Sequence, residues 1–300
     1  AYFSPYGQNQ MKTVLITGAN RGIGLEHAKV FSARGIRVFA TARSPSEATE
    51  LVALSQASGG NLKVLPYDAA SPDAPALLKQ ALGETPIDLL LANAGGMGNR
   101  DVAFGSVDVE EVLQLVRINS LAPLKLAESL AENLACSQRK LIAFQSSLMG
   151  SIGDNGSGGF YAYRISKVAL NMVARSVAND LKSRGVIAVA LHPGWVKTRM
   201  GGSNAPITVA QCVDGQQRLL DKLTLADSGK FFNFDAQGHC WHCLERWHHQ
   251  GCHRSSCRVV AGLFDGDEQP GQKSVTTVAF HLQVPDKFAY ACRLLRKAVA

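Results

Sequence analysis

Short, almost wholly apolar runs alternate along this chain with longer amphipathic stretches, from residue 11 to about 235. The runs 13–16, 37–40, 62–65, 87–91, 140–144 and 186–190 predict strands, and 231–234 predicts a last one. The stretches 22–34, 46–57, 73–82, 109–134, 160–183 and 208–222 predict helices. Strands that are apolar at nearly every position lie buried on both faces, which requires a parallel sheet covered by helices on each side. Right-handed crossovers make that an α/β, doubly wound, mostly parallel and Rossmann-like sheet.

Past Asp235 the pattern breaks. Residues 239–257 hold five histidines, four cysteines and two tryptophans, and no regular alternation of strand and helix follows. The chain therefore divides into a Rossmann-like domain over 11–235 and a Cys/His-rich extension over 236–300. Residues 1–10 precede a natural-looking start at Met11 and read as a leader or tag-like segment. With neither a basic nor an apolar block, they are not expected to be a secretory signal.

Composition adds bounds. A chain of 300 residues, 46% hydrophobic and 18% charged, can bury a full core. Its net charge of +7 would suit nucleic acid or an anionic membrane, but the basic residues are scattered, with no long cationic run. Neither partner is expected, and a phosphate-bearing ligand accounts for part of the excess. No apolar stretch of about 18 residues predicts a membrane span. Seven cysteines are an odd number for a disulfide framework, and only Cys136 and Cys212 lie within the predicted Rossmann-like body, 11–235. That points to a reducing, cytoplasmic compartment.

Two motifs carry chemistry. Thr17-Gly18-Ala19-Asn20-Arg21-Gly22-Ile23-Gly24 follows a predicted strand and opens a predicted helix, the context in which glycines cradle phosphates. Gly18 permits the turn, Gly22 lets the backbone approach a pyrophosphate, and Gly24 lets helix and strand pack closely. The helix N-terminus then faces the anion with free N–H groups. A tight turn without a ligand would use the same glycines, so this motif alone does not decide. Farther on, Tyr163 and Lys167 stand four residues apart, about one helical turn, and share a face. A neighbouring ammonium is expected to lower the tyrosine pKa and make it a general acid or base.

Together with Ala92-Asn93-Ala94-Gly95, Asn119, Ser146-Ser147 and Pro193-Gly194, these motifs appear in the order seen in single-domain short-chain dehydrogenases/reductases. The stretches 147–152 and 161–167 most resemble the C-factor and sniffer-type carbonyl reductase branch. The resemblance covers roughly residues 11 to 235. It implies that Tyr163 exchanges a proton with a carbonyl or alcohol oxygen, and that Lys167 tunes the tyrosine and holds the nicotinamide ribose. It implies that Ser147 holds the substrate oxygen and that Asn119 supports a water relay to the lysine. Residues 154–159 lengthen the loop before the tyrosine relative to the commonest family pattern, so Ser146 and Ser151 remain rivals to Ser147. The resemblance also implies that helices near 109–134 and 160–183 can pair in a homo-oligomer.

The cofactor choice turns on the adenosine ribose. Rossmann enzymes that use NAD place an Asp or Glu at the end of the second strand. Here that strand runs into Arg43 with no carboxylate, and Arg21 and Arg43 are placed to pair with a 2′-phosphate. NADP(H) is therefore expected. By resemblance, Asp68 contacts the adenine, Asn20, Ile23, Asn93, Ala94 and Gly95 line the cofactor, and Pro193, Gly194 and Thr198 close over the nicotinamide.

The extension tempts a zinc reading through Cys240-x2-Cys243 and Cys252-x4-Cys257, with His239, His242, His248, His249 and His253 nearby. These ligands select no single tetrahedral set, and the expectation is a tail without metal and without a catalytic role. The sequence thus reads as an NADP(H)-dependent oxidoreductase acting on a small carbonyl or alcohol substrate. Its alternative is a cofactor-binding regulatory or signalling protein, which would not need Tyr163 and Lys167 together. Leu148, Met149, Tyr161, Trp195 and Met200 are candidate walls of an apolar pocket.

Overall fold

The computed structural model describes residues 11–100 and 102–239; the segment 1–10 and the Cys/His-rich stretch from residue 240 onward lie outside the described residues. All seven expected strands form: β1 (Thr13–Ile16), β2 (Arg37–Ala42), β3 (Leu62–Pro66), β4 (Leu89–Ala92), β5 (Leu141–Gln145), β6 (Ile187–His192) and β7 (Phe231–Asn233). They lie parallel in the order β3-β2-β1-β4-β5-β6-β7. A short antiparallel strand, β8 (Gly238–His239), pairs with β7 and carries the described sheet past residue 235.

The alternation of side chains in each strand builds two cores. Val14 and Ile16 of β1, Leu89 and Leu91 of β4, and Leu141 and Ala143 of β5 face one side. There they meet Phe31 of α1 (Gly22–Ala33) and Leu219 and Leu220 of α8 (Val209–Lys222). Leu15, Leu90, Ile142 and Phe144 face the other side. There they pack on Leu78 of α3 (Ala74–Leu82), Leu126 of α5 (Ala122–Ser129) and Leu170 of α7 (Tyr161–Asp180). Strands buried on both faces explain why the chain shows continuous apolar runs there. The remaining helices are α2 (Thr49–Ala57), α4 (Val109–Val116) and α6 (Ala131–Ala135).

The expected single helix over 109–134 is broken. Between α4 and α5 the backbone opens into a π turn, Arg117–Leu121. Pro123 has no N–H for the carbonyl of Asn119 four residues before it, so the regular ladder cannot continue. A second break separates α5 from α6 at Leu130.

The strand order reverses between β1 and β4. In doubly wound sheets the crevice at the carboxyl ends of the strands beside this reversal is where ligands bind. At the opposite edge, buried Asp88 accepts backbone N–H bonds from Lys12, Thr13, Gln138 and Arg139. It ties the starts of β1 and β5 together and leaves the other edge free for chemistry.

Candidate active site

The glycine turn at the end of β1 is held by the loop that follows the neighbouring strand, β4. Thr17 Oγ1 accepts from the N–H groups of Asn93 and Ala94, both at 3.0 Å, and Asn93 Nδ2 donates to the carbonyls of Thr17 and Gly18. Gly24 is where helix and turn meet: a Cβ there would lie 2.4 Å from the Gly18 carbonyl oxygen. Even alanine would therefore push α1 off the strand. The first turn of α1 carries no acidic residue, and its N-cap, Arg21, makes no side-chain cap. Its N–H groups and dipole are thus left to an external anion.

Helix α7 brings the proton-handling groups to the same edge. Tyr163 and Lys167 are both buried on it, with the lysine Nζ 5.7 Å from the centre of the phenol ring. Opposite, the turn 147–150 presses onto the helix, because a Cβ on Gly150 would meet the Lys167 carbonyl carbon at 2.7 Å. Asn171 Nδ2 clamps the turn by donating to the Gly150 carbonyl at 3.1 Å. This contact sets Ser147 against Tyr163, and the two side chains hydrogen-bond.

The three serines therefore have different environments. Ser146 is buried and donates to Asn171 Oδ1 at 2.5 Å. Ser151 accepts a long bond, 3.4 Å, from the Asp154 N–H in the lengthened loop. Ser147 alone of the three bonds to the phenol.

Asn119, buried in the π turn, spends its side chain locally. Its Oδ1 accepts from the Gly96 N–H, and its Nδ2 donates to the Gly96 carbonyl and to Ser166 Oγ. It fastens the loop after β4 to α7. Lys167 Nζ donates to the Gln145 carbonyl at 2.8 Å.

The electrostatics correct one expectation. The Tyr163 pKa moves up, not down: burial outweighs the opposing pull of the Ser147 hydrogen bond and the charge of Arg100. Lys167 gives ground as well, pushed down to about 8 by burial. Sequence spacing revealed that the pair shares a face but could not reveal that both are desolvated there.

The other expected residues gather around this edge. Gly18 and Gly22 turn with φ of 65° and 57°. Asn20 precedes Arg21 in the turn, and Ile23 enters α1. Asp68, just past β3, accepts from the Ala70 N–H at 3.0 Å and is exposed. Gly95 lies beside Asn119 and Lys167: a Cβ on it would stand 3.0 Å from Asn119 Oδ1 and 3.9 Å from the ammonium. Pro193 and Gly194 leave β6, and Thr198 follows in a turn closed by its own hydroxyl, which accepts from the Gly201 N–H at 3.0 Å. Among the expected pocket walls, Trp195 is exposed and donates its indole N–H to the Gly201 carbonyl.

Several contributors were missed. Gln145 had a signal, a polar residue ending an apolar strand. Arg100, in the loop after β4, donates to the Met200 carbonyl in the loop after β6, and Arg199 lies close enough to Arg21 to be felt electrostatically. An exposed loop arginine has no periodicity to betray the direction it faces. Among the described residues, no cluster of three His, Cys, Asp or Glu side chains could hold a metal ion.

Comparison with known proteins agrees with this geometry. The family model of the short chain dehydrogenases matches residues 12–206. C-signal of Myxococcus xanthus is 40% identical over 156 residues, which are 52% of this chain and 93% of that protein. Carbonyl reductase Sniffer of D. melanogaster superposes with a TM-score of 0.72 at 32% identity, covering 77% of this chain and 100% of that one. An NADPH-bound carbonyl reductase from chicken fatty liver superposes with a TM-score of 0.71 at 33% identity, again over 77% of this chain and 100% of that one. The chain belongs to the short-chain dehydrogenase/reductase family of oxidoreductases.

Proposed function

We propose that this short-chain dehydrogenase/reductase is an NADP(H)-dependent carbonyl reductase or alcohol dehydrogenase. The observation that carries the reading is the buried Ser147–Tyr163–Lys167 arrangement, set at the sheet edge that also bears the uncapped N-terminus of α1. The chain's own residues fit the cofactor. The first turn of α1 offers free N–H groups, β2 ends without a carboxylate, and Arg21 and Arg43 have no ion-pair partner among the described residues. Gly22 and Ile23 are assigned to the pyrophosphate, Arg21 and Arg43 to the 2′-phosphate, Asp68 to the adenine, and Asn93, Gly95, Pro193, Gly194 and Thr198 to the nucleoside walls. The relatives with bound NADP(H) support this choice.

The bound nicotinamide supplies or accepts the hydride. In the reducing direction, negative charge grows on the carbonyl oxygen as its carbon gains that hydride. Tyr163 gives its proton to this oxygen, and the product is the alcohol. A phenol whose pKa is raised is fully protonated near neutral pH, which is the form a proton donor needs. Ser147, bonded to the phenol, holds the same oxygen and stabilises the developing charge. Lys167 and Arg100 then stabilise the phenolate left on Tyr163. Oxidation of an alcohol runs these steps backwards.

The apolar side chains near the cleft, Leu148, Met149, Trp195 and Met200, favour a fairly apolar carbonyl compound. Exposed Val109 and Leu113 on α4 and Ile165 and Met172 on α7 support a homo-oligomer built on these helices. The intact Tyr163/Lys167 pair favours turnover over a purely regulatory role. The test is the absorbance of NADPH followed against a panel of aldehydes, ketones and quinones. Consumption with at least one class supports the reading, and a flat trace with all of them, despite tight NADPH binding, supports the regulatory alternative.

A further inference from the structure

Three arginines stand on the three segments that frame the start of α1. Arg21 is its N-cap, Arg43 follows the end of β2, and Arg199 lies in the loop after β6. These segments are bound together at short range. The Ala19 N–H donates to the Thr41 carbonyl at 2.8 Å, which fastens the glycine turn to β2. A methyl group on Gly22 would lie 3.5 Å from the Thr198 methyl, so the loop carrying Arg199 sits directly over the glycine turn. That loop is braced from below and from the side. The Gly201 N–H donates to Thr198 Oγ1, Trp195 donates to the Gly201 carbonyl, and Arg100 donates to the Met200 carbonyl.

All three arginines are exposed residues, with the Arg21 guanidinium partly covered, and among the described residues none is paired with a carboxylate. Their charges oppose one another. Burial, then Arg199, then Arg43 hold Arg21 below the ordinary arginine value. Like charges left together without a counter-charge raise the energy of the site, and a polyanion bound among them removes that cost.

The positions divide the work. Arg43, at the end of β2, faces the adenosine ribose side of a bound dinucleotide. Thr198 instead overhangs Gly22 at the helix N-terminus, where a pyrophosphate would bind, and Arg199, the next residue, is close enough to Arg21 for its charge to be felt there. We propose that Arg199 is a pyrophosphate-binding residue that covers the cofactor from the β6 loop, opposite Arg21. This rests on the cofactor reading above and adds a residue and a selectivity rule. Arg199 serves the diphosphate common to both nicotinamide cofactors, whereas Arg43 serves the 2′-phosphate alone.

The experiment measures binding rather than turnover. The full-length wild type, Arg199→Gln, Arg199→Lys and Arg43→Gln are titrated with NADPH, NADH and ADP-ribose, followed by intrinsic fluorescence or calorimetry. Loss of one charge-assisted contact corresponds to about a tenfold weaker Kd. Arg199→Gln is expected to weaken all three ligands by about that factor, and Arg199→Lys to recover part of it. Arg43→Gln is expected to weaken NADPH and spare NADH and ADP-ribose. Arg199→Gln that binds all three like the wild type overturns the proposal, as does a loss confined to NADPH. A raised KM for the carbonyl compound with unchanged ADP-ribose binding also overturns it, by moving Arg199 to the substrate. A wild type that binds none of the three overturns the cofactor reading itself, a result distinct from failure at Arg199.

Discussion

The ammonium of Lys167 lies 5.7 Å from the centre of the Tyr163 ring, yet it donates its hydrogen bond to the Gln145 carbonyl at 2.8 Å. The lysine is therefore held in place beside the phenol by a strand end. Its burial lowers its pKa from 10.5 to about 8. Between those values the unfolded chain binds a proton that the folded chain does not, so stability rises with pH across that window. The gain amounts to up to about 3 kcal/mol. Lys167→Met removes this slope. Urea unfolding of both proteins at pH 7.5 and pH 9.5 checks it through their difference, which cancels Tyr163 and every other group they share. A difference that does not change with pH would refute the assigned burial.

Ser147 and Ser146 are neighbours in different surroundings. Ser147→Ala removes the proposed donor at the reacting oxygen and is expected to lower kcat by about 10²–10³-fold, while losing its cap on the Met149 N–H costs about 0.5–2 kcal/mol of stability. Ser146→Ala leaves Asn171 Oδ1 buried without its donor and is expected to cost about 1–3 kcal/mol of stability. Its kcat should stay within severalfold of wild type. Steady-state kinetics and thermal melting on both variants separate the two. Equal losses of kcat would put Ser146 in the chemistry.

The layout of the fold was legible because each strand buries both faces and each helix one stripe, and burial writes itself into hydrophobic periodicity. The break at Asn119 was legible in principle from Pro123, but the apolar pattern runs through it unbroken and predicts one helix. Tyr163, Lys167 and the glycine turn could be found because local spacing places them. The choice among the serines could not, because it depends on Gly150 touching Lys167 and on Asn171 reaching both Ser146 and Gly150. Such contacts join parts of the chain that no local pattern connects. The upward shift of Tyr163 likewise comes from packing around it, which outweighs the pull of Ser147 and Arg100.

His27 shows what burial does away from the site. It lies between α1 and α8 with one ring nitrogen 2.8 Å from Gln216 Oε1 and the other 3.0 Å from Gln217 Nε2. Burial lowers its pKa from 6.5 to about 4, against a smaller opposing pull from Gln216. Above pH 6.5 the imidazole is neutral in both states and its contribution is complete. As pH falls from 6.5 towards 4, only the unfolded chain gains the proton, and up to about 3 kcal/mol of stability is lost. His27→Gln should be less stable at pH 7 but flatter than wild type between pH 6.5 and 4.5. Parallel stability curves for the two proteins would contradict the buried, neutral histidine.

The proposed preference for NADP(H) turns on Arg43. Arg43→Asp replaces a partner for the 2′-phosphate with a carboxylate that repels it and accepts from a 2′-hydroxyl. The variant is expected to reverse or flatten a preference for NADPH over NADH. Fluorescence titration with both cofactors measures it, and equal affinities in the wild type would remove the basis for the assignment.

The central claim is that Tyr163 supplies the proton for a carbonyl reduction. Tyr163→Phe removes one hydroxyl and leaves the ring packed on α7, so cofactor binding should stay near normal while the acid is lost. General acids of this kind contribute about 10²–10⁴-fold to rate. The direct measurement is kcat of wild type and Tyr163→Phe with the best carbonyl substrate of the panel, beside Kd for NADPH on the same preparations. The account predicts a fall in kcat of that size with Kd within about threefold. Turnover by Tyr163→Phe at the wild-type rate would contradict it.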